Sequence, residues 1–248
     1  DTCKIRMLTE TEAEGYCLQM LNYYGKQPGS DYMRDLACRF FRNRPEYRFR
    51  RALHEQVVDE IIRIRGMDGV KIANIRIKHY GYLAATISRK NKSRRNLEII
   101  RNARKQHPDN QFLAYSLAVE LLNTGEFAEA SALLDEAYAE NTSFASVVIL
   151  KKVTCLRELN RPDEALTLLH SARKQYRNFT DLFYLEAEIL CEQQHFRQAI
   201  ACFKHCLSLG DAPVTYCGSN GVGTFRACFM LGRLFEQRQD AETAGFYY

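Results

Sequence analysis

"NRPDEALTLLHSARKQY" (160–176) opens on a polar turn and runs into a helical pattern in which Ala165 is followed by Leu169 and then Ala172. Apolar residues spaced three and four apart share one face of an α-helix. "GEFAEASALLDEAYAEN" (125–141) and "QHFRQAIACFKHCLSLG" (194–210) align with it without gaps, placing Ala130, Leu134 and Ala137, then Ala199, Phe203 and Cys206, at the same three places. The first small residue recurs after 35 and then 34 positions. Upstream of each stripe stands another: Leu117, Ala118 and Leu121; Leu150, Val153 and Leu156; Tyr184, Ala187 and Leu190. Each unit therefore reads as two helices with apolar faces that only stacking on neighbouring units can bury.

This period, with small residues where two helices cross and large ones filling the gap, resembles the tetratricopeptide repeat (TPR). The resemblance covers about 111–145, 146–179 and 180–213, with a partial fourth unit over 225–248 marked by Leu231, Gly232 and Ala244. Residues 92–110 carry Ala103 and Pro108 at second-helix places and read as a half-repeat leading into the array. The insert "GDAPVTYCGSNGVGT" (210–224) holds too much glycine for helix and reads as a surface loop or a loop that presents a binding site.

Composition narrows the class. No run approaches 18 apolar residues, so no membrane span is expected. Nine cysteines, an odd count without a CxxC, suit reduced thiols acting as small apolar residues and a cytoplasmic location. Cys202 and Cys206 sit one helical turn apart with no second ligand pair that would suggest zinc. Residues 34–105 carry a net charge of +13 and residues 106–248 a net −6, which sets the basic third apart. Nucleic-acid binding through "SRKNKSRRNLEIIRNARK" (88–105) is set aside because no recognised binding signature accompanies that charge.

Residues 1–90 follow a different pattern. "EGYCLQMLNYYG" (14–25) and "ANIRIKHYGYL" (73–83) alternate as strands do. "LACRFFRN" (36–43) and "EYRFRRAL" (46–53) read as a hairpin around Asn43, Arg44 and Pro45, giving four strands with little helix. Five arginines fall between Arg42 and Arg51, with Arg39 just upstream and His54, Glu55 and Gln56 just after.

The run "CRFFRNRPEYRFRRALHEQV" (38–57), followed by "IRIKHYGYL" (75–83) and then "RRNLEII" (94–100), resembles a bacterial family-2 glycosyltransferase of the Firmicutes type. In that subgroup the repeats follow the catalytic domain. The resemblance implies a mainly α chain: a TPR-like α-α superhelix over 91–248, preceded over 1–90 by a small, mostly β remnant of a GT-A-type catalytic domain. It also implies a longer parent protein carrying the nucleotide-sugar half and its Asp-x-Asp motif, with this chain inactive alone. His54 and Glu55 are then the catalytic candidates, and His54 the metal ligand in the parent. Arg39, Arg42, Asn43 and Gln56 are the diphosphate and substrate candidates. A divalent cation, Mn²⁺ or Mg²⁺, is expected in the parent and none in this chain. Arg51 stands near a usual glycine of that pattern and Leu53 in place of its isoleucine.

Two functions compete at this point. One is sugar transfer from a nucleotide sugar to an acceptor by the parent protein. The other is a non-catalytic scaffold that binds a peptide along the first helices, with Phe112, Tyr115, Arg157, Tyr184, Arg226, Phe229 and Arg233 as groove candidates. That mixture of aromatics and arginines suits an acidic or aromatic peptide.

Overall fold

The computed structural model describes residues 2–29, 31–49, 55–89, 92–140, 142 and 144–248. The chain divides into two compact units, Asp1–Lys92 and Ser93–Tyr248.

In the first unit, a short helix, α1 (Thr2–Thr9), leads into the strand β1 (Gly15–Gly25), which returns as β2 (Tyr32–Phe41). These strands pair antiparallel, from Gly15 opposite Phe41 to Tyr23 opposite Tyr32. The chain then forms α2 (Val58–Arg65) and enters β3 (Val70–Leu83), which lies parallel to β1 on its other side, before α3 (Ala84–Arg89). A parallel neighbour needs a crossover connection, and α2 supplies it. Alternation sorts the side chains by face. Tyr16, Leu18 and Ala73 form one apolar cluster, with Phe40, Ile75 and Ile77 against it. Cys38, Tyr47, Val57 and Ile61 form the other, joining α2 to the sheet.

The alternation in 14–25 and 73–83 therefore forms strands, but the expected 36–43/46–53 hairpin does not. The partner of β2 is β1, and residues 42–49 run without strand structure, with a turn at Pro45–Glu46. Pro45 has no N–H to give a ladder, and Tyr47 turns inward to join the α2 cluster. Residues 50–53 of the expected second strand lie outside the described residues.

The second unit begins with α4 (Lys92–Gln106), the helix of the half-repeat, and continues as four helix pairs. These are α5 (Gln111–Thr124) with α6 (Phe127–Ala137), α7 (Ala145–Glu158) with α8 (Pro162–Gln175), α9 (Thr180–Glu192) with α10 (Phe196–Leu209), and α11 (Phe225–Gln237) with α12 (Ala241–Tyr247). Ala130, Ala165 and Ala199 are fully buried, so the second helices sit close against the first. Leu169 and Phe203 each fill the core beside them. Consecutive first helices also touch, α5 with α7 and α7 with α9, which makes them a continuous lining.

The turn inside each pair repeats in detail. Glu126, Arg161, His195 and Asp240 donate their backbone N–H to Leu121, Leu156, Leu190 and Phe235, the six-to-one bond that closes a helix C-terminus. The residue before each of them is left-handed: Gly125 (φ 83°), Asn160 (56°), Gln194 (62°) and Gln239 (59°). A Cβ in that region crowds the following carbonyl by about 1–2 kcal/mol, whereas glycine carries only its chain entropy. Gln194→Gly and Gln239→Gly are accordingly expected to stabilise the array by about 0.5–1 kcal/mol each. Gly125→Ala should do the reverse, and urea midpoints measure all three.

The insert before α11 is fastened down at several points. Tyr216 stacks on Phe179 at 4.7 Å between ring centroids, and its hydroxyl donates to Asn178 Oδ1 at 3.1 Å. Asp211 accepts from the N–H groups of Gly221 (3.2 Å) and Gly223 (2.9 Å), and Asp181 from Ser219 N–H (2.6 Å). A Cβ on Gly223 would lie 1.9 Å from the Gly210 carbonyl carbon, so only glycine permits this approach. The insert is a packed surface loop whose own carboxylate takes the glycine N–H groups.

Candidate functional site

The two groups of candidate residues lie in different units. His54 falls outside the described residues. Glu55 and Asn43 are exposed, Gln56 is half-buried, and Arg39 is exposed on β2.

Arg42 and Arg44 are engaged within the unit. Arg42 donates from Nε to the Ala13 carbonyl at 3.2 Å and from its terminal nitrogen to the Thr11 carbonyl. Arg44 holds Glu14 with both arms, at 3.1 and 2.9 Å. The Tyr47 hydroxyl donates to the same carboxylate at 3.0 Å. Arg65 reaches Tyr47 Oη at 3.4 Å and Glu46 at 3.1 Å. This network explains why 42–49 folds across the sheet instead of pairing along it: Arg44 and Tyr47 bind Glu14, 30 and 33 residues away, and Arg65 ties the segment to α2. A shallow pocket of about 130 Å³ opens beside Glu14, Tyr16, Phe40 and Arg42. His79 is structural in its contacts, with Nδ1 2.8 Å from Asn22 Oδ1 across β1 and β3.

The Arg44 guanidinium holds the Glu14 carboxyl below its ordinary value, outweighing the opposing effect of burial, and the Tyr47 hydroxyl adds a smaller lowering. A carboxyl lowered in the folded state contributes stability above the unfolded value of about 4.3 and loses it as pH falls through the lowered one. The first unit is therefore expected to loosen below about pH 4.3, and Glu14→Gln to flatten that part of an acid titration followed by circular dichroism. No difference between the two titrations would remove Glu14 as the hub.

Among the described residues, no three His, Cys, Asp or Glu side chains converge to hold a metal ion. None of the described helices is long and apolar enough to cross a membrane.

On the first helices, Phe112 and Tyr115 share ring contacts with Phe144 at 5.7 and 5.4 Å. Arg157 on α7 binds across to α9, donating to Glu188 at 2.8 Å and to Glu192 at 2.9 Å. Tyr184 meets Phe203 edge-on at 5.2 Å, and burial pushes its phenol well up. On α11 the arrangement opens. Phe229 is 54% exposed, Arg233 is exposed and Arg226 is half-buried. Three residues before Ala118, Val153, Ala187 and Gly232 stand Tyr115, Leu150, Tyr184 and Phe229, and Phe229 meets the Tyr248 ring at 6.1 Å as Tyr184 meets Phe203 at 5.2 Å. Sequence periodicity finds these places. It does not find Glu188 and Glu192, which neutralise Arg157 and are visible only once α7 and α9 are adjacent.

The cysteines of the array behave as apolar residues. Burial pushes Cys155 and Cys191 up to about 11, and Cys202 and Cys206 up to about 12.

The sequence matches no protein-family profile and no curated protein. Among solved structures it is similar to a crystal structure of MamA, with a TM-score of 0.53 at 14% identity over 65% of this chain and 87% of that one. PilW, described as a widely conserved type IV pilus biogenesis factor, gives 0.53 at 18% identity over 66% and 71%. PilF of Pseudomonas aeruginosa gives 0.51 at 17% over 66% and 69%. The fold is a TPR-like helical repeat preceded by a small mixed sheet.

Proposed function

We propose that the chain is a protein-interaction scaffold that binds an extended peptide along its first helices. The observation that carries this is Phe229, which stays exposed although the Tyr248 ring lies 6.1 Å away, with Arg233 and Arg226 on the same helix. Solenoids of helix pairs present such linings to peptides, and exposed large aromatics mark binding surfaces. The chemistry at α11 favours a peptide with an aromatic and an acidic residue near one another. Midway along, Arg157 is held by Glu188 and Glu192 and acts as a tie between repeats. The experiment is a selection of linear peptides from a random library displayed against the whole chain. Enrichment of sequences pairing Asp or Glu with Phe, Tyr or Trp supports the reading, and no enrichment over an unrelated helical protein removes it.

A second reading keeps the family-2 glycosyltransferase parent. It is supported by the order of motifs over 38–100 and by the mixed sheet with its helical crossover. His54 and Glu55 would serve catalysis, with Arg39, Arg42, Asn43 and Gln56 toward a diphosphate and Mn²⁺ or Mg²⁺ in the parent. The internal engagement of Arg42 with the Ala13 and Thr11 carbonyls weighs against its role toward a diphosphate. Calorimetry of the full-length parent protein with a uridine diphosphate sugar and Mn²⁺ separates the readings: a binding heat lost in His54→Ala supports this one, and no heat sinks it.

A further inference from the structure

Cys17 on β1 and Cys38 on β2 stand directly opposite one another in the antiparallel ladder. Opposed residues there have Cα atoms about 4.5–5.5 Å apart, inside the roughly 4.4–6.8 Å that a disulfide spans. Both are free thiols, Cys38 buried and Cys17 half-buried, and both belong to the cluster under α2. The register shifts between Tyr16 and Cys17, a bulge that adds local twist next to the pair.

We propose that Cys17 and Cys38 form a redox modification site, in which a peroxide-class oxidant joins them as a cross-strand disulfide. Cys17, the more exposed partner, is the nucleophile. Its thiolate sulfur attacks one peroxide oxygen and the O–O bond breaks. The departing hydroxide takes a proton and leaves as water, while Cys17 becomes a sulfenic acid. Cys38 loses its proton, and its sulfur attacks that of Cys17, expelling the second oxygen as water. Two thiols are oxidised and one peroxide is reduced to two waters. A small thiol reverses the step by exchange. The local chemistry agrees with this order. The Cys38 thiol donates to Cys17 and holds it below the usual thiol range, while Cys38 itself is driven up. Cys155 and Cys206, both buried, and the half-buried Cys191 and Cys202 are shifted the other way, toward inert thiols.

The test treats the whole chain with hydrogen peroxide, caps remaining thiols by alkylation, and maps the proteolytic peptides by mass. The expected result is a linked pair carrying Cys17 and Cys38, two hydrogens lighter than the separate peptides and released by dithiothreitol. The link should vanish in Cys17→Ser and persist in Cys3→Ser, a change at an exposed position. The linked wild type should also melt at a higher temperature than the reduced one, because the bridge restrains the unfolded chain. Separate alkylation of Cys17 and Cys38 in the folded wild-type chain, or linkage of Cys17 to any other cysteine, would overturn the proposal.

Discussion

Phe203→Ala is expected to destabilise the helical array by about 3–5 kcal/mol, enough to unfold its third and fourth helix pairs near physiological temperature. The Phe203 side chain is fully buried on α10, with Tyr184 edge-on at 5.2 Å, and its cluster joins Ala187 and Leu190 of α9 to Ala227 and Leu231 of α11. Truncation loses the transfer free energy of the ring and leaves a cavity that the three helices around it cannot fully close. In a linear array each unit is held by its neighbours, so the loss should reach α11 and α12 and leave α5 and α6 little changed. Hydrogen exchange resolved by helix measures this. Uniform loosening from α5 to α12 would argue against nearest-neighbour coupling.

Arg173→Met is expected to cost about 2–3 kcal/mol, short of the full penalty for breaking a buried pair because the arginine is partly exposed. Glu186 on α9 has only 5% of its side chain exposed and binds Arg173 of α8, with His170 Nε2 at 3.4 Å from its other oxygen. The guanidinium also lies over the Phe183 ring, 5.1 Å from its centroid. Removing Arg173 leaves a carboxylate nearly out of water, with an exposed histidine and the Cys202 thiol beside it. The double change Arg173→Met with Glu186→Leu should recover most of the loss, since an apolar pair of similar size can replace a buried ion pair at little cost. A double variant as unstable as the single one would show that the arginine acts through packing on Phe183 instead.

These two sites mark what could and could not be read from the sequence. Phe203, Leu169 and the buried alanines recur at 34 or 35 residues, so the helix pairs and their core were legible from spacing alone. The left-handed turns were less so, because Asn160, Gln194 and Gln239 stand where a glycine would have announced the turn. Arg173–Glu186 and Arg157–Glu188 join helices that periodicity treats separately, and no local pattern marks them. In the first unit, β1 and β3 announce themselves by alternation. Residues 46–49 alternate too, yet Arg44 and Tyr47 bind Glu14 about 30 residues away, and that tertiary network overrides the local strand signal. The helix α2 passed unread because "VDEIIRIR" is short and interrupts a stretch of strand-like residues. Of the candidate site, spacing places the aromatic and arginine residues on the first helices, while the acidic partners Glu188 and Glu192 of Arg157 have no such signal.

The central claim is that the first-helix lining around α11 binds peptide. Fluorescence polarisation with a labelled peptide from the library selection tests it most directly, using the wild type, Phe229→Ala, Arg233→Ala and, as a control on the exposed surface of α10, Arg197→Ala. Each α11 variant is expected to bind about tenfold more weakly, or about 1.4 kcal/mol, with Arg197→Ala unchanged. Equal affinity across all four proteins would contradict it.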